Sequence, residues 1–144
     1  MLKESPDHLD ADLVLKIYDL RREAVMRESR DAINRDYWPR TSEEATGVLR
    51  SDHPLNRAWR QTTGYWEMVY SMARHGIIQG DFLVENNTEG LFLFARVEPY
   101  LAEIRGLSSA RAFRNTEWIA RETESGRTIA DSYRARVAKA LAAR

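Results

Sequence analysis

The stretch Pro54-Leu55-Asn56-Arg57-Ala58-Trp59-Arg60-Gln61-Thr62-Thr63-Gly64-Tyr65-Trp66-Glu67-Met68-Val69-Tyr70-Ser71-Met72-Ala73-Arg74-His75-Gly76 decides the fold class. Leu55, Ala58, Trp59, Tyr65, Trp66, Val69, Met72 and Ala73, with Thr62 between them, recur at helical spacings and so share one face of a helix. Pro54 suits a first helical turn, where its missing N–H costs nothing. Arg74 and His75 place cations at the negative helix end, and Gly76 suits a left-handed cap. The spacing therefore predicts a central core helix over residues 55–75.

N-terminal to it, Ser5-Pro6-Asp7 reads as a helix start, and Leu13, Ile17, Leu20 and Ala24 continue as an apolar stripe. One long helix is predicted from near Asp7 to near Asp36, ended by Trp38-Pro39 because the residue before a proline leaves helical geometry. In its second half Arg27 and Asp31 fall on the stripe, so the buried face drifts or turns ionic there. Thr41-Ser42-Glu43-Glu44 has the arrangement of a capping box and predicts a short helix fading near Asp52.

C-terminal to it, Gly80-Asp81 starts a further helix, and Asn86-Asn87-Thr88 interrupts or restarts it. Leu91 to Arg105 is helical, with Pro99 forcing a kink or a new first turn and Gly106 closing the element. A short helix around Asn115–Glu122 with Asn115 as cap follows. A last helix begins after Ser125-Gly126, carrying Ile129, Tyr133, Val137, Ala140 and Leu141 on one face. The expected architecture is a single all-α domain over 1–144, a compact bundle of five to seven helices with the long N-terminal helix packed on the central one.

Composition supports helices and excludes several functions. The 144 residues include 7 glycines and 4 prolines, few for the turns of a many-stranded sheet, and no cysteine for disulfides, zinc thiolates or a thiol nucleophile. Neither Ile77–Val84 nor Leu91–Val97 approaches the ~18 apolar residues of a membrane span. Met1–Asp12 is acidic where a signal peptide is basic and then apolar, which predicts a cytoplasmic chain.

The 22 basic and 22 acidic side chains cancel, so no polyanion is held by net charge. The cancellation hides polarity: residues 1–104 carry 13 basic and 18 acidic groups, and residues 105–144 carry 9 and 4. The C-terminal arginines lack the regular stacking aromatics of single-strand binders, which disfavours nucleic acid and predicts pairing with the acidic part of the same or a neighbouring chain.

Catalytic constellations are missing at the level of motif. His8, His53 and His75 have no zinc-ligand spacing, and Asp7, His8, Asp10 and Asp12 lack the glycine of a calcium loop and read as an acid-rich helix start. No nucleophile elbow and no glycine-rich phosphate loop occurs, so neither a metal nor another cofactor is expected. Nineteen of the 22 basic residues are arginine, the better partner for a buried carboxylate. The predicted polar cluster is Arg21 or Arg22 meeting Glu67 or Glu117. Its functional alternative is a pocket around Tyr65, Glu67 and Tyr70 in which Glu67 works as a base.

The runs Ile17-Tyr18-Asp19-Leu20-Arg21-Arg22-Glu23-Ala24-Val25-Met26-Arg27-Glu28, Tyr65-Trp66-Glu67, Arg74-His75-Gly76-Ile77-Ile78, Val97-Glu98-Pro99-Tyr100-Leu101 and Thr116-Glu117-Trp118-Ile119-Ala120 are similar to a family of small bacterial helical domains of unknown function. The resemblance spans roughly residues 13–122 and implies an all-helical fold without an assigned activity. Some members carry a preceding membrane helix, which this sequence does not show. Arg21, Arg22, Glu67, Gly76, Pro99, Glu117 and Trp118 stand at the recognisable positions, a mixture of turn, core and ion-pair types. Together these readings favour a non-catalytic protein-interaction or scaffold domain, self-association included, over a small helical enzyme or ligand binder with a pocket at Glu67.

Overall fold

Helix α4, Asn56–Arg74, runs through the centre of the computed structural model, which describes residues 2–144. Of its predicted face Ala58, Trp59, Thr62, Tyr65, Trp66, Val69 and Ala73 are buried, Leu55 and Met72 are half-buried, and Tyr70, which the spacing does not include, is buried with them. Leu55 is its cap, so Pro54 lies in the preceding turn rather than in the helix. Gly76 takes the left-handed conformation at φ 74°, as the sequence anticipates.

The N-terminal segment is two helices, α1 (His8–Arg21) and α2 (Ala24–Asp36), where the stripe predicts one. Asp7 caps α1 by accepting from the N–H groups of Leu9 and Asp10. The break follows from Glu23, whose extended backbone and carboxylate, accepting from Val25 N and Met26 N at 3.0 Å each, start a new helix. Restarting the helix turns Met26 and Ile33 inward and leaves Arg27 and Asp31 exposed, which removes the clash of charge with stripe. Leu20 and Ala24 consequently lie on the surface, and only Ile17 of the predicted stripe is fully buried.

Helix α3 (Ser42–Gly47) has Thr41 as its cap, and Glu44 reaches back one residue further than a capping box requires, to Arg40 N at 2.7 Å. Asn86-Asn87-Thr88 both ends α5 (Gly80–Asn86) and precedes α6 (Glu89–Val97). Pro99 sits in a 3-10 turn, Glu98–Tyr100, that leads into α7 (Leu101–Leu107), with Gly106 inside α7 rather than closing it. Helices α8 (Arg114–Glu122) and α9 (Glu124–Ala143) complete the fold. The described residues thus form nine α-helices and no strand, an all-α bundle with more breaks than the expected five to seven helices because Glu23, Asn87 and Pro99 each end one.

Helix α4 is flanked by α2 on one side and α8 on the other, while α9 lies across α5, α6 and α8. Aromatic rings tie the elements together: Tyr37 meets Trp59 at 5.1 Å, Trp59 meets Phe113 at 5.6 Å, and Phe94 of α6 meets Phe113 at 6.1 Å. Arg96 of α6 is buried and donates to the carbonyls of Ile33 and Tyr37 and to Asn34 Oδ1, closing the C-terminal end of α2. Burial lowers its pKa to about 10, so it remains a cation at neutral pH and complements the negative helix end. Among the described residues no helix is long and apolar enough to cross a membrane.

Candidate functional site

The predicted polar cluster is dispersed over both sides of α4. Arg21 donates to Asn87 Oδ1 at 3.3 Å, and Tyr70, fully buried, donates to the Asn87 carbonyl at 2.7 Å. Desolvation holds the Tyr70 hydroxyl well above the ordinary tyrosine range. Arg22 is exposed, its guanidinium over the Tyr18 ring. Glu117 pairs with Arg105 at 3.2 Å and Arg121 at 3.1 Å. The expected meeting of Arg21 or Arg22 with Glu67 or Glu117 therefore does not occur. The break at Glu23 and the packing of α1 place those arginines on the far side of α4 from α8.

Glu67 is engaged by backbone instead. Its Oε1 accepts from Asn115 N at 3.0 Å, and its Oε2 accepts from Thr116 N at 2.8 Å and Thr116 Oγ1 at 2.6 Å. The need for this contact lies in the start of α8. Phe113, at the cap position, has φ 59° and makes no side-chain cap, so the first N–H groups of α8 require an acceptor from elsewhere. A carboxylate suits them because it also meets the positive helix end. Expected as the cap, Asn115 is itself the donor.

Beside Glu67 the surface is concave. An apolar cleft of about 380 Å³ lies between α4 and the α7–α8 connection, with Trp59, Ile104 and Phe113 as floor and Arg60 and Glu67 at the edge. A second hollow of about 530 Å³ shares Glu67, Ser109 and Ala112 with the first and continues to Arg74, His75, Arg111 and Arg114. The two make one groove, apolar at one end and cationic at the other. Ion pairing leaves the cationic end open: among the described residues none of Arg74, Arg111 or Arg114 forms a salt bridge, while the lone carboxylate, Glu67, is committed to α8.

Gly64 opens onto the apolar end, and a Cβ built there would meet nothing within 4 Å. That distinguishes it from Gly90, where a Cβ would strike the Tyr70 ring, and from Gly126, where it would strike the Ile119 carbonyl. A glycine inside a helix costs roughly 0.5–1 kcal/mol relative to alanine. At Gly90 packing accounts for that cost, and at Gly64 packing does not. Nothing in the sequence singled out Gly64, and Arg111 and Arg114 counted there only among the C-terminal arginines.

A family model described as a domain of unknown function (DUF4760) matches residues 6–123, most of the chain. The chain belongs to this family. No curated protein and no solved structure matches it. In this DUF4760 domain, Glu67, Gly76, Pro99 and Glu117 serve respectively as the cap of α8, a left-handed turn, a 3-10 turn and an ion-pair centre. Each of these holds the backbone in place. Helix α9 lies beyond the matched residues, yet it packs on α5, α6 and α8 and begins at the Thr123 cap. Among the described residues no three His, Cys, Asp or Glu side chains gather where a metal ion would be held.

Proposed function

We propose that this DUF4760 domain is a non-catalytic interaction module that receives a partner protein in the groove between α4 and the α7–α8 connection. The observation that carries the reading is Gly64: like Gly106 it is a helical glycine with open space above it, but unlike Gly106 it lines the groove, at a cost to helix stability that packing does not require. An approaching chain explains it, because only a residue without a side chain lets a partner reach the floor of Trp59 and Phe113. Glu67, the one carboxylate in the groove, is spent on the N–H groups of α8, which speaks against its use as a base.

The test is affinity capture from the native host with the wild-type domain and with Gly64→Leu as bait, read by quantitative mass spectrometry. The expected result is a specific protein enriched on the wild type and lost on the variant, with the melting temperature of the variant unchanged or raised. A bound amphiphile seen by native mass spectrometry, lost in Gly64→Leu with no protein lost alongside it, would overturn the reading in favour of a small-ligand carrier.

A further inference from the structure

We propose that the segment received by the groove is acidic, with a bulky apolar side chain entering the cleft over Gly64 and carboxylates lying on the shelf formed by Arg74, Arg111 and Arg114. This rests on the interaction-module reading and specifies the chemistry of the partner.

Charge complementarity determines the sign. The shelf is lined by three arginines, a histidine and one carboxylate, and that carboxylate is turned to the start of α8. Arg111, Arg114 and His75 are exposed, and the C-terminal basic part of the chain makes one ion pair with the acidic part among the described residues, Arg134 with Glu98. The expected internal matching of the two parts thus leaves the shelf unneutralised. A guanidinium fork is suited to carboxylates, which it takes in two parallel hydrogen bonds.

Geometry determines the spacing. From Gly64 to Arg74 along α4 is about 15 Å, ten residues at the helical rise. An extended partner covers that distance in about four to five residues, so the pattern is an apolar anchor followed at that interval by acidic side chains. Nucleic acid fits less well at the apolar end. Trp59 and Phe113 meet edge to face at 5.6 Å and are nearly buried, so the floor can take one inserted side chain but has no series of exposed ring faces along which successive bases would stack.

Fluorescence anisotropy with synthetic peptides tests this directly. The probes are a labelled twelve-residue peptide with one tryptophan and a glutamate run four residues beyond it, the same peptide with lysines for glutamates, and one with alanine for tryptophan. Saturable binding of the first alone is expected, weakened about tenfold or more by Arg111→Glu with Arg114→Glu and separately by Gly64→Leu. Both positions are exposed, and unchanged circular dichroism checks that the variants fold. Equal binding of the lysine peptide, or binding lost in Gly64→Leu but indifferent to the arginine changes, overturns the acidic assignment and leaves the interaction module standing. Displacement by a single-stranded oligonucleotide, dependent on Arg111 and Arg114 but not on Gly64, overturns it in favour of nucleic acid. Absence of saturable binding by any peptide up to about 1 mM also overturns it, and the lysate experiment then decides the module reading independently.

Discussion

Glu67 and Thr116 are joined by two hydrogen bonds, 2.8 Å to the backbone nitrogen and 2.6 Å to the hydroxyl, so a side chain of α4 supplies the cap that α8 lacks. The bonds tie the start of α8 to the side of α4 that lines the groove. It also turns the most conspicuous carboxylate of the aromatic core helix into a scaffold element.

Replacing Glu67 by Gln keeps one acceptor oxygen but removes the charge facing the start of α8. A loss of about 1 kcal/mol is expected, and about 2 kcal/mol for Glu67→Ala, measured by urea unfolding. Hydrogen exchange at Asn115 and Thr116 should speed up before the rest of the domain responds. A stability unchanged in Glu67→Ala would show that the cap is dispensable.

Two of the helical glycines, Gly64 and Gly90, predict opposite effects of the same substitution. Gly64→Ala should raise stability by roughly 0.5–1 kcal/mol, since the methyl meets open space. Gly90→Ala should lower it by about 1–3 kcal/mol, because the methyl strikes the buried Tyr70 ring. Paired thermal melts decide the matter, and equal shifts for both would contradict the packing described.

Arg96 satisfies three acceptors at the end of α2 from a buried position. Arg96→Met retains bulk but leaves the carbonyls of Ile33 and Tyr37 without this donor, at an expected cost of about 2–4 kcal/mol in urea unfolding. Arg96→Lys should fall between, since an ammonium on a flexible stem cannot reproduce the fork.

Tyr65 predicts the alkaline limit of the fold. Burial raises its hydroxyl from 10.0 to about 12, and Tyr37 and Tyr70 are raised by the same cause. Below pH 10 Tyr65 is neutral in both states and its contribution is constant. Between pH 10 and about 12 the unfolded chain loses the proton while the folded chain keeps it, so stability falls as pH rises, by up to about 1.4 kcal/mol per unit from this residue. Tyrosinate absorbance should therefore show a late group of residues titrating together with loss of helical circular dichroism.

Helical class, the central element and its ends were legible from sequence because they depend on local terms. The periodicity of Leu55 to Ala73, the cap at Asp7 and the glycine at position 76 all act within a few residues of themselves. The break between α1 and α2 was only half legible. Arg27 and Asp31 signalled that the stripe fails, but the solution depends on the conformation of Glu23 and on Arg30, which reaches back to the Arg21 carbonyl and forks onto Glu89 from a distant helix.

The candidate site was less legible still, because it is made by residues far apart in sequence. The sequence by itself determined that this protein is all-α, that α4 is its core helix, and that a polar residue, Glu67, stands amid that helix's aromatics. Only the tertiary structure decided what Glu67 does, since its partners lie 48 and 49 residues away and are, apart from the Thr116 hydroxyl, backbone groups that carry no side-chain signature. The same holds for Gly64. Whether a helical glycine is a flaw, a close contact or an opening depends on what faces it, and here the fold leaves that place open.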